Sequence, residues 1–274
     1  NGPLTSYDIK DLVDEARYLV KNGVKEIQFV AQNLTAYGLD IYKEKRITEL
    51  VNRIADIDGV EWIRLHYAYP IGFPLDLLDT IRQRENVCNY LDMAIQHCNT
   101  KMLKLMRRSM TKEQLTDLIA TIRDRVPGIY LRTTVMTGHP GETQSDFDEL
   151  YEFVKGQRFE RMGVFAYSHQ SGTYCDKNYV DDIPQSVKIE RALSLMSLQS
   201  SIYESLNDSL VGTFEKVIID EKYGEYYIGR GEHSTPMADP KIYVSSNLSL
   251  NIGDFYNVKI TGVRGKDING EIIN

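Results

Sequence analysis

The chain has 274 residues, 42% of them hydrophobic and 26% charged, with a net charge of −7 and a pI near 5.4. That length suits one large domain plus a small one, and no apolar run approaches the eighteen or so residues of a membrane helix. The acidic balance argues against a general nucleic-acid binder and favours a small-molecule or protein partner.

The three cysteines, Cys88, Cys98 and Cys175, lack CxxC spacing. That pattern excludes a disulfide framework and a self-contained metal site. The start shows no secretory leader, which makes the cytoplasm the expected location. Asn1-Gly2-Pro3-Leu4 runs into a helical pattern with no preceding strand. A repeating strand–helix fold that opens this way reads as cut from something longer.

Asp8 to Asn22 is an amphipathic helix, with Ile9, Leu12, Val13, Ala16, Leu19 and Val20 on one stripe. Ser6 is its expected N-cap and Gly23 closes it. Lys25 to Ala31 reads as a strand, Arg46 to Ile57 as a helix, Glu61 to Tyr67 as a strand and Leu75 to Arg84 as a helix. Tyr90 to Ile95 reads as a third strand, followed by a short helix from Lys101 and a longer one from Thr111 to Val126. Leu131 to Thr143 (LRTTVMTGHPGET) is a β-branched strand that breaks at Gly138, turns through Pro140 and Gly141, and opens a helix from Gln144 to Lys155. Arg161 to Tyr167 is the last strand of the series.

Five strand–helix units of this kind predict parallel strands in an α/β fold. There is no GxGxxG and no GxxxxGK[ST], so a partial TIM-like barrel fits better than a dinucleotide-binding sheet. Polar residues gather at the strand ends: Gln32 and Asn33, His66 and Tyr67, Gln96 and His97, Arg132 and Thr134 with Glu142 beyond, and Tyr167 to His169. In a parallel barrel such ends share one rim, where ligands bind. Taken singly, His66 reads equally as a structural histidine, Arg132 as an internal ion-pair partner, and the Gly-Pro-Gly loop as a plain turn. Their convergence is what points to a site.

Pro184 to Leu210 is a long helix that covers or connects domains, and Gly212 ends it. Short alternating strands follow, FEKVIIDEK, EYYIGRG, IYVSS, YNVKITGVRG and GEIIN, which predict a small OB-like all-β barrel. The expected domains are therefore 1–211 and 212–274. Thr213 to Asn274 carries seven Lys/Arg against nine Asp/Glu, a net charge of −2 that suits a basic protein better than RNA.

VAQNLTAYG, WIRLHYAYP, YLDMAIQHCNTKMLKLMRR, LRTTVMTGHPGET and RMGVFAYSHQSGT together resemble the radical S-adenosylmethionine methylthiotransferases, and the small barrel resembles their C-terminal TRAM domain. The likeness runs over essentially the whole chain. Within the family, Gln96-His97, Leu131 to Thr134, Arg161 to Phe165 and GRGEHSTPMADPKIYV are similar to the RimO-like branch. That branch modifies the β-carbon of an aspartate in ribosomal protein S twelve of the small subunit. The other, MiaB-like branch methylthiolates adenosine in transfer RNA and would more usually carry Gln-Ser-Gly after the third strand.

The resemblance implies S-adenosylmethionine as cofactor and two four-iron four-sulfur clusters. A radical formed from the cofactor takes a hydrogen from the substrate carbon, the second cluster delivers sulfur, and another cofactor molecule gives the methyl. The family's cluster ligands are three N-terminal cysteines and a CxxxCxxC motif, and neither is present here. The chain is therefore expected to be inactive alone, with no metal ligand of its own and with its three cysteines incidental. Implied cofactor contacts are Gln32, Asn33, His66, Gln96, His97, Arg132 and Thr134. Gly138, Gly141 and Glu142 would pack near the adenine, and Phe165 and Tyr167 would flank it. Arg230, His233 and Asp239 are candidates for the barrel's substrate-facing surface, with the ribosomal protein, and the ribosome around it, as partners. The alternatives are transfer-RNA methylthiolation and a cluster-free binding module. An unrelated TIM-like lyase fits less well, because no lysine stands at a strand end for a Schiff base.

Overall fold

In the computed structural model the described residues are 2–236 and 238–272. Asn1, Met237 of the GRGEHSTPMADPKIYV motif, and Ile273-Asn274 of GEIIN lie outside them. Five strands form one open parallel sheet in chain order: β1 (Glu26–Phe29), β2 (Trp62–Ala68), β3 (Val87–Met93), β4 (Tyr130–Thr137) and β5 (Arg161–Ala166). Between them run α1 (Ile9–Lys21) ahead of β1, α2 (Ile47–Ala55), α3 (Asp76–Gln83), α4 (Thr100–Leu105), α5 (Lys112–Arg125) and α6 (Gln144–Gln157). After β5 come α7 (Tyr174–Asn178) and α8 (Gln185–Leu210), and α8 packs on β4, β5 and α6 and reaches β9 of the second sheet. That second sheet is β6 (Phe214–Tyr223), β7 (Tyr226–Arg230), β8 (Ile242–Ser245), β9 (Phe255–Arg264) and β10 (Asp267–Ile272). It closes into a barrel in the order β10-β8-β7-β6-β9 around Val217, Ile219, Val244, Val258 and Ile260.

Two local expectations need correcting. The N-cap of α1 is Asp8, whose carboxylate accepts from Lys10 N at 2.8 Å. Ser6 instead ties the N-terminal segment to the loop after β1, its hydroxyl accepting from Gly38 N. The third strand begins at Val87, not Tyr90, because Val87 enters the sheet opposite Ile63 and is fully buried. It ends at Met93, and pairing with β4 returns only as a single bridge at Gln96, whose backbone is left-handed (φ 67°).

Successive side chains of a strand point to opposite faces, and the two faces of the parallel sheet differ sharply. Ile63, Leu65, Val87, Leu91, Leu131 and Val135 join the helices in one apolar core. The opposite, inner face carries Trp62, Arg64 and His66 from β2, Cys88, Tyr90 and Asp92 from β3, Tyr130, Arg132 and Thr134 from β4, and Arg161 and Phe165 from β5. Such a face is too polar to be buried without partners. The small barrel supplies them. Trp62 meets Phe255 edge to face at 4.7 Å, and Trp62, Cys88 and Tyr90 form a cluster with Ile218 of β6. Between β7 and β8, residues 231–235 and Asp239 lie against the strands.

Arg64 is fully buried. Its Nε donates to Glu26 at 2.9 Å, and its Nη atoms donate to the carbonyls of Gly231 and Glu232. Arg230, from the barrel, forms a bidentate pair with the same Glu26 and an ion pair with Asp220. Burial alone would raise the Glu26 carboxyl, but Arg230 and Arg64 overcome that and hold it below the usual carboxylate range. The group's stabilising contribution is therefore complete above the unfolded value of about 4.3 and is lost as pH falls through the lower folded value. Removing Arg230 leaves a buried carboxylate short of a partner, at a cost of about 3 kcal/mol. Urea denaturation of Arg230→Ala at pH 7 is expected to show that loss, and the deficit relative to the parent is expected to shrink below about pH 4.

Candidate functional site

The inner face is not covered along its whole length. The barrel covers its lower part, and a cavity of about 390 Å³ stays open at the C-terminal ends of β2 to β5. Its size falls in the range of ligand pockets, and its position is the one at which parallel α/β sheets bind ligands.

Five expected residues converge on this cavity: Gln32, Gln96, Arg132, Thr134 and Phe165. Gln96 is held in its left-handed conformation by two hydrogen bonds of 2.8 Å, from its N to Thr134 O and from Met136 N to its own carbonyl. Tyr67, also on the rim, is left-handed too (φ 57°). Two strained non-glycine residues on one cavity rim mark a place where backbone shape is held for a purpose. Phe165 is 60% exposed, a large ring with one face uncovered.

The sequence reading missed Asp92 and Arg108. Asp92 is 4% exposed and lines the cavity. Its Oδ2 stands 3.8 Å from both Arg132 Nε and His66 Nδ1, and its Oδ1 is buried without a protein partner. A buried carboxylate oxygen left unpaired at a cavity wall is an acceptor awaiting a ligand's donor. Arg108 donates to Ala94 O at 2.9 Å and lies over the Tyr69 ring. Burial lowers its guanidinium from the ordinary value, while the site keeps two arginines, 108 and 132, beside one acid. The available signal for Asp92 was its spacing: it is two residues beyond Tyr90 on the inward side of β3.

The remaining expected residues do not line the cavity. His97 follows Gln96 and points the opposite way, into the protein. Its Nδ1 accepts from Asn99 N at 3.0 Å, which puts the proton on Nε2, 3.6 Å from Glu142 Oε2. Glu142 accepts from Gly138 N at 2.9 Å and from Arg191 of α8 at 2.7 Å. His97, Gly138 and Glu142 are therefore part of a buried network under α8, while Gly141 is exposed beside it, its carbonyl accepting from Lys101. Tyr167 is buried too, its hydroxyl donating to Cys175 Sγ at 3.1 Å and its ring edge to face with His139. His66 lies behind Asp92, with Thr235 of the barrel on its other side at 3.4 Å. Asn33 borders a separate, apolar cavity of about 370 Å³ between α1 and β1.

The three barrel residues expected to face a substrate are in the contact with the sheet instead. Arg230 pairs with Glu26, His233 stacks on Tyr130 at 4.0 Å, and Asp239 has a fully buried side chain bonded to Arg132. Burial and the neighbouring Arg161 and Arg64 push the His233 imidazole down to about 3, so it is neutral at pH 7. The barrel's open side is elsewhere, at a shallow cleft with Tyr226, Tyr243 and Arg264, where the guanidinium lies 4.5 Å over the Tyr243 ring.

Among the described residues no three His, Cys, Asp or Glu side chains gather to hold a metal. Burial pushes the Cys88 and Cys98 thiols up to about 12, which keeps both protonated and makes them poor ligands for an iron–sulfur cluster. No helix among the described residues is long and apolar enough to cross a membrane.

Against known proteins, the description "Radical SAM superfamily" matches residues 1–154 and "TRAM domain" matches residues 211–273. The ribosomal protein uS12 methylthiotransferase RimO of Porphyromonas gingivalis is 52% identical over 275 residues, covering 100% of this chain and 63% of that protein. Its counterpart in Parabacteroides distasonis is 50% identical over 273 residues, with the same coverage. The chain thus spans 63% of the length of these relatives. Among solved structures, the radical SAM enzyme coproporphyrinogen III oxidase (HemN) of Escherichia coli aligns with a TM-score of 0.50 at 15% identity, over 82% of this chain and 60% of that one. Methylornithine synthase (PylB) gives 0.50 at 14%, over 73% and 56%. At such identities these two speak to the fold alone.

Gly138 tests the network under α8. Its φ is +73°, and a Cβ there would overlap the Lys188 side chain. Gly141 has φ +86° but would meet only a Leu105 methyl, at 3.0 Å. Both alanine variants carry the left-handed penalty of about 1–2 kcal/mol. Thermal unfolding is expected to show the larger loss in Gly138→Ala, because Lys188 is fully buried and ion-paired to Asp181 and has nowhere to move.

Proposed function

The chain belongs to the radical SAM superfamily, and from that premise we propose that it is part of an enzyme that methylthiolates the β-carbon of an aspartate in small-subunit ribosomal protein uS12. What carries the reading is identity of 50–52% with the uS12 methylthiotransferases over the whole chain, from the parallel sheet through the small barrel.

S-adenosylmethionine fits the cavity at the strand ends. Its carboxylate is matched by the guanidinium groups of Arg108 and Arg132, in a pocket where charge-assisted bonds gain from the low dielectric. A hydroxyl or amine of the cofactor satisfies the unpaired Asp92 Oδ1. Gln96 and Thr134 offer neutral polar contacts, and the uncovered Phe165 ring gives the adenine a surface to stack on. Bound together with a reduced four-iron cluster, this cofactor supplies the radical chemistry that activates a substrate C–H bond. The chain's own contribution is to orient the cofactor and to keep water away from it on the barrel side.

The thiolates for such a cluster are not among Cys88, Cys98 and Cys175. A second, sulfur-donating cluster is part of the same proposal, with ligands that are likewise not among these three. The 274-residue chain by itself is accordingly taken to be inactive in methylthiolation. The net charge of −2 on the barrel suits a basic ribosomal protein. Its open cleft, with two tyrosine rings and Arg264, supports a second reading in which the barrel holds an RNA strand by stacking.

Intact mass of uS12 after co-expression with the full-length product of the gene encoding this chain separates the two. A gain of about 46 Da, one SCH₃ replacing H, mapped to an aspartate, is the expected outcome. No gain there, with methylthioadenosine in transfer RNA, selects the second reading. The 274-residue chain expressed alone is expected to give neither product. In the full-length protein, Arg132→Ala is expected to weaken S-adenosylmethionine binding about tenfold or more, read by equilibrium dialysis. Unchanged affinity moves the cofactor out of this cavity.

A further inference from the structure

The lining of the cavity comes from the parallel-sheet part of the chain, but one lining residue, Arg132, is held from behind by the barrel. Arg132 enters from β4, and its guanidinium lies between two carboxylates. One is Asp92 of the neighbouring strand, at 3.8 Å, which is too far for a direct hydrogen bond. The other is Asp239, from the segment that joins β7 to β8 of the small barrel, which accepts a direct hydrogen bond from Arg132 Nη1. The residues lie 107 positions apart in sequence, Arg132 on a strand of the parallel sheet and Asp239 on a loop of the barrel.

Asp239 is itself held tightly. Its side chain is fully buried. Oδ2 accepts from the Tyr90 hydroxyl at 3.0 Å and from Thr235 N at 3.0 Å, so only Oδ1 is turned to the arginine. Tyr90 stands on the inner face of β3, and burial together with Asp239 pushes its phenol well above its ordinary value, so it stays a donor. Thr235, in turn, contacts His66, the second neighbour of Asp92. A chain of packed polar side chains therefore runs from the barrel segment to both charged walls of the cavity, through a direct hydrogen bond to Arg132 and through the packed His66 to Asp92.

We infer that Asp239 is a positioning residue for the cofactor pocket: the small barrel, through this one carboxylate, fixes the orientation in which Arg132 meets its ligand. The inference rests on the reading that S-adenosylmethionine occupies this cavity. A guanidinium has five donors in a rigid fork, and where that fork points is set by which acceptors hold it. Without Asp239, Arg132 turns towards Asp92, its remaining carboxylate. That pairing would occupy both the cation and the acid that the ligand needs. The barrel does more than present a substrate; it holds a residue of the pocket wall in place. By reciprocity, whatever shifts Asp239 on substrate docking changes cofactor affinity, and cofactor binding changes substrate affinity by the same factor.

The test uses the full-length protein with its clusters loaded, and three variants: Asp239→Asn, Tyr90→Phe and Arg132→Lys. S-adenosylmethionine affinity is measured by equilibrium dialysis, with Tm recorded alongside. Arg132→Lys is expected to lose about tenfold, because an ammonium cannot reproduce the fork. Asp239→Asn, which keeps the shape but loses the charge, is expected to lose a comparable factor and to add little in combination with Arg132→Lys. Its KM for S-adenosylmethionine should rise with kcat little changed. Tyr90→Phe frees one oxygen of Asp239 and is expected to weaken binding severalfold; it decides the matter if Asp239→Asn does not fold. Arg132→Lys weakened while folded Asp239→Asn and Tyr90→Phe bind as the parent does overturns the inference and leaves the cavity assignment standing. All three binding as the parent does overturns the cavity assignment and the inference with it.

Discussion

A guanidinium buried in the middle of a strand is the constraint from which this structure is best understood. Arg64 sits at the centre of β2 with no exposure at all. An arginine does not lose its proton in a protein, so the charge must be met by acceptors where it stands. Its own sheet supplies one, Glu26 on β1, and the other acceptors are carbonyl oxygens of Gly231 and Glu232. The parallel sheet therefore cannot bury its inner face without the barrel. Arg230 and Lys25–Asp254 reinforce the same contact at its edge.

The cavity follows from where that cover ends. Going along the strands towards their C-terminal ends, the inner face reads Trp62, Arg64, His66 on β2 and Tyr130, Arg132, Thr134 on β4. Trp62, Arg64, His66 and Tyr130 meet barrel side chains or the loop after β7, Arg132 meets both Asp239 and the cavity, and Thr134 is left to the cavity. Arg132 lies on the boundary, half committed to Asp239 and half to the open space. Asp92 beside it has one oxygen without any protein partner. A buried charge held on one side and free on the other suits binding a charged small molecule, because the desolvation cost has already been met in folding.

Much of the fold could be read in the residues. The alternation of amphipathic helices with β-branched runs gave the parallel sheet, and the change to short strands spaced by Gly and Asn gave the barrel. Gln32, Gln96, Arg132 and Thr134 reach one cavity, as their strand-end positions suggested, since in a parallel sheet those ends must share an edge. What failed had physical causes. His97 was grouped with Gln96, but adjacent residues point apart, and the left-handed turn at Gln96 sends the imidazole under α8. Gly138 and Glu142 looked like ligand contacts because a glycine loop after a strand often is one. Here the close approach it permits is to Lys188, and the acid it precedes is needed by Arg191. Arg230, His233 and Asp239 looked like a polar surface, since nothing local distinguishes a solvated loop from one inserted against another sheet. Asp92 was passed over because it sits inside an apolar strand, where only the period-two alternation reveals its direction.

Hydrogen–deuterium exchange on the full-length, cluster-loaded protein with and without S-adenosylmethionine tests most directly the claim that sheet and barrel segment build one pocket. The account predicts slower exchange at residues 92–96 and 132–134 and, with them, at residues 231–236 and 238–239 of the barrel. Protection confined to the sheet, or appearing instead at the apolar cavity between α1 and β1, would contradict it.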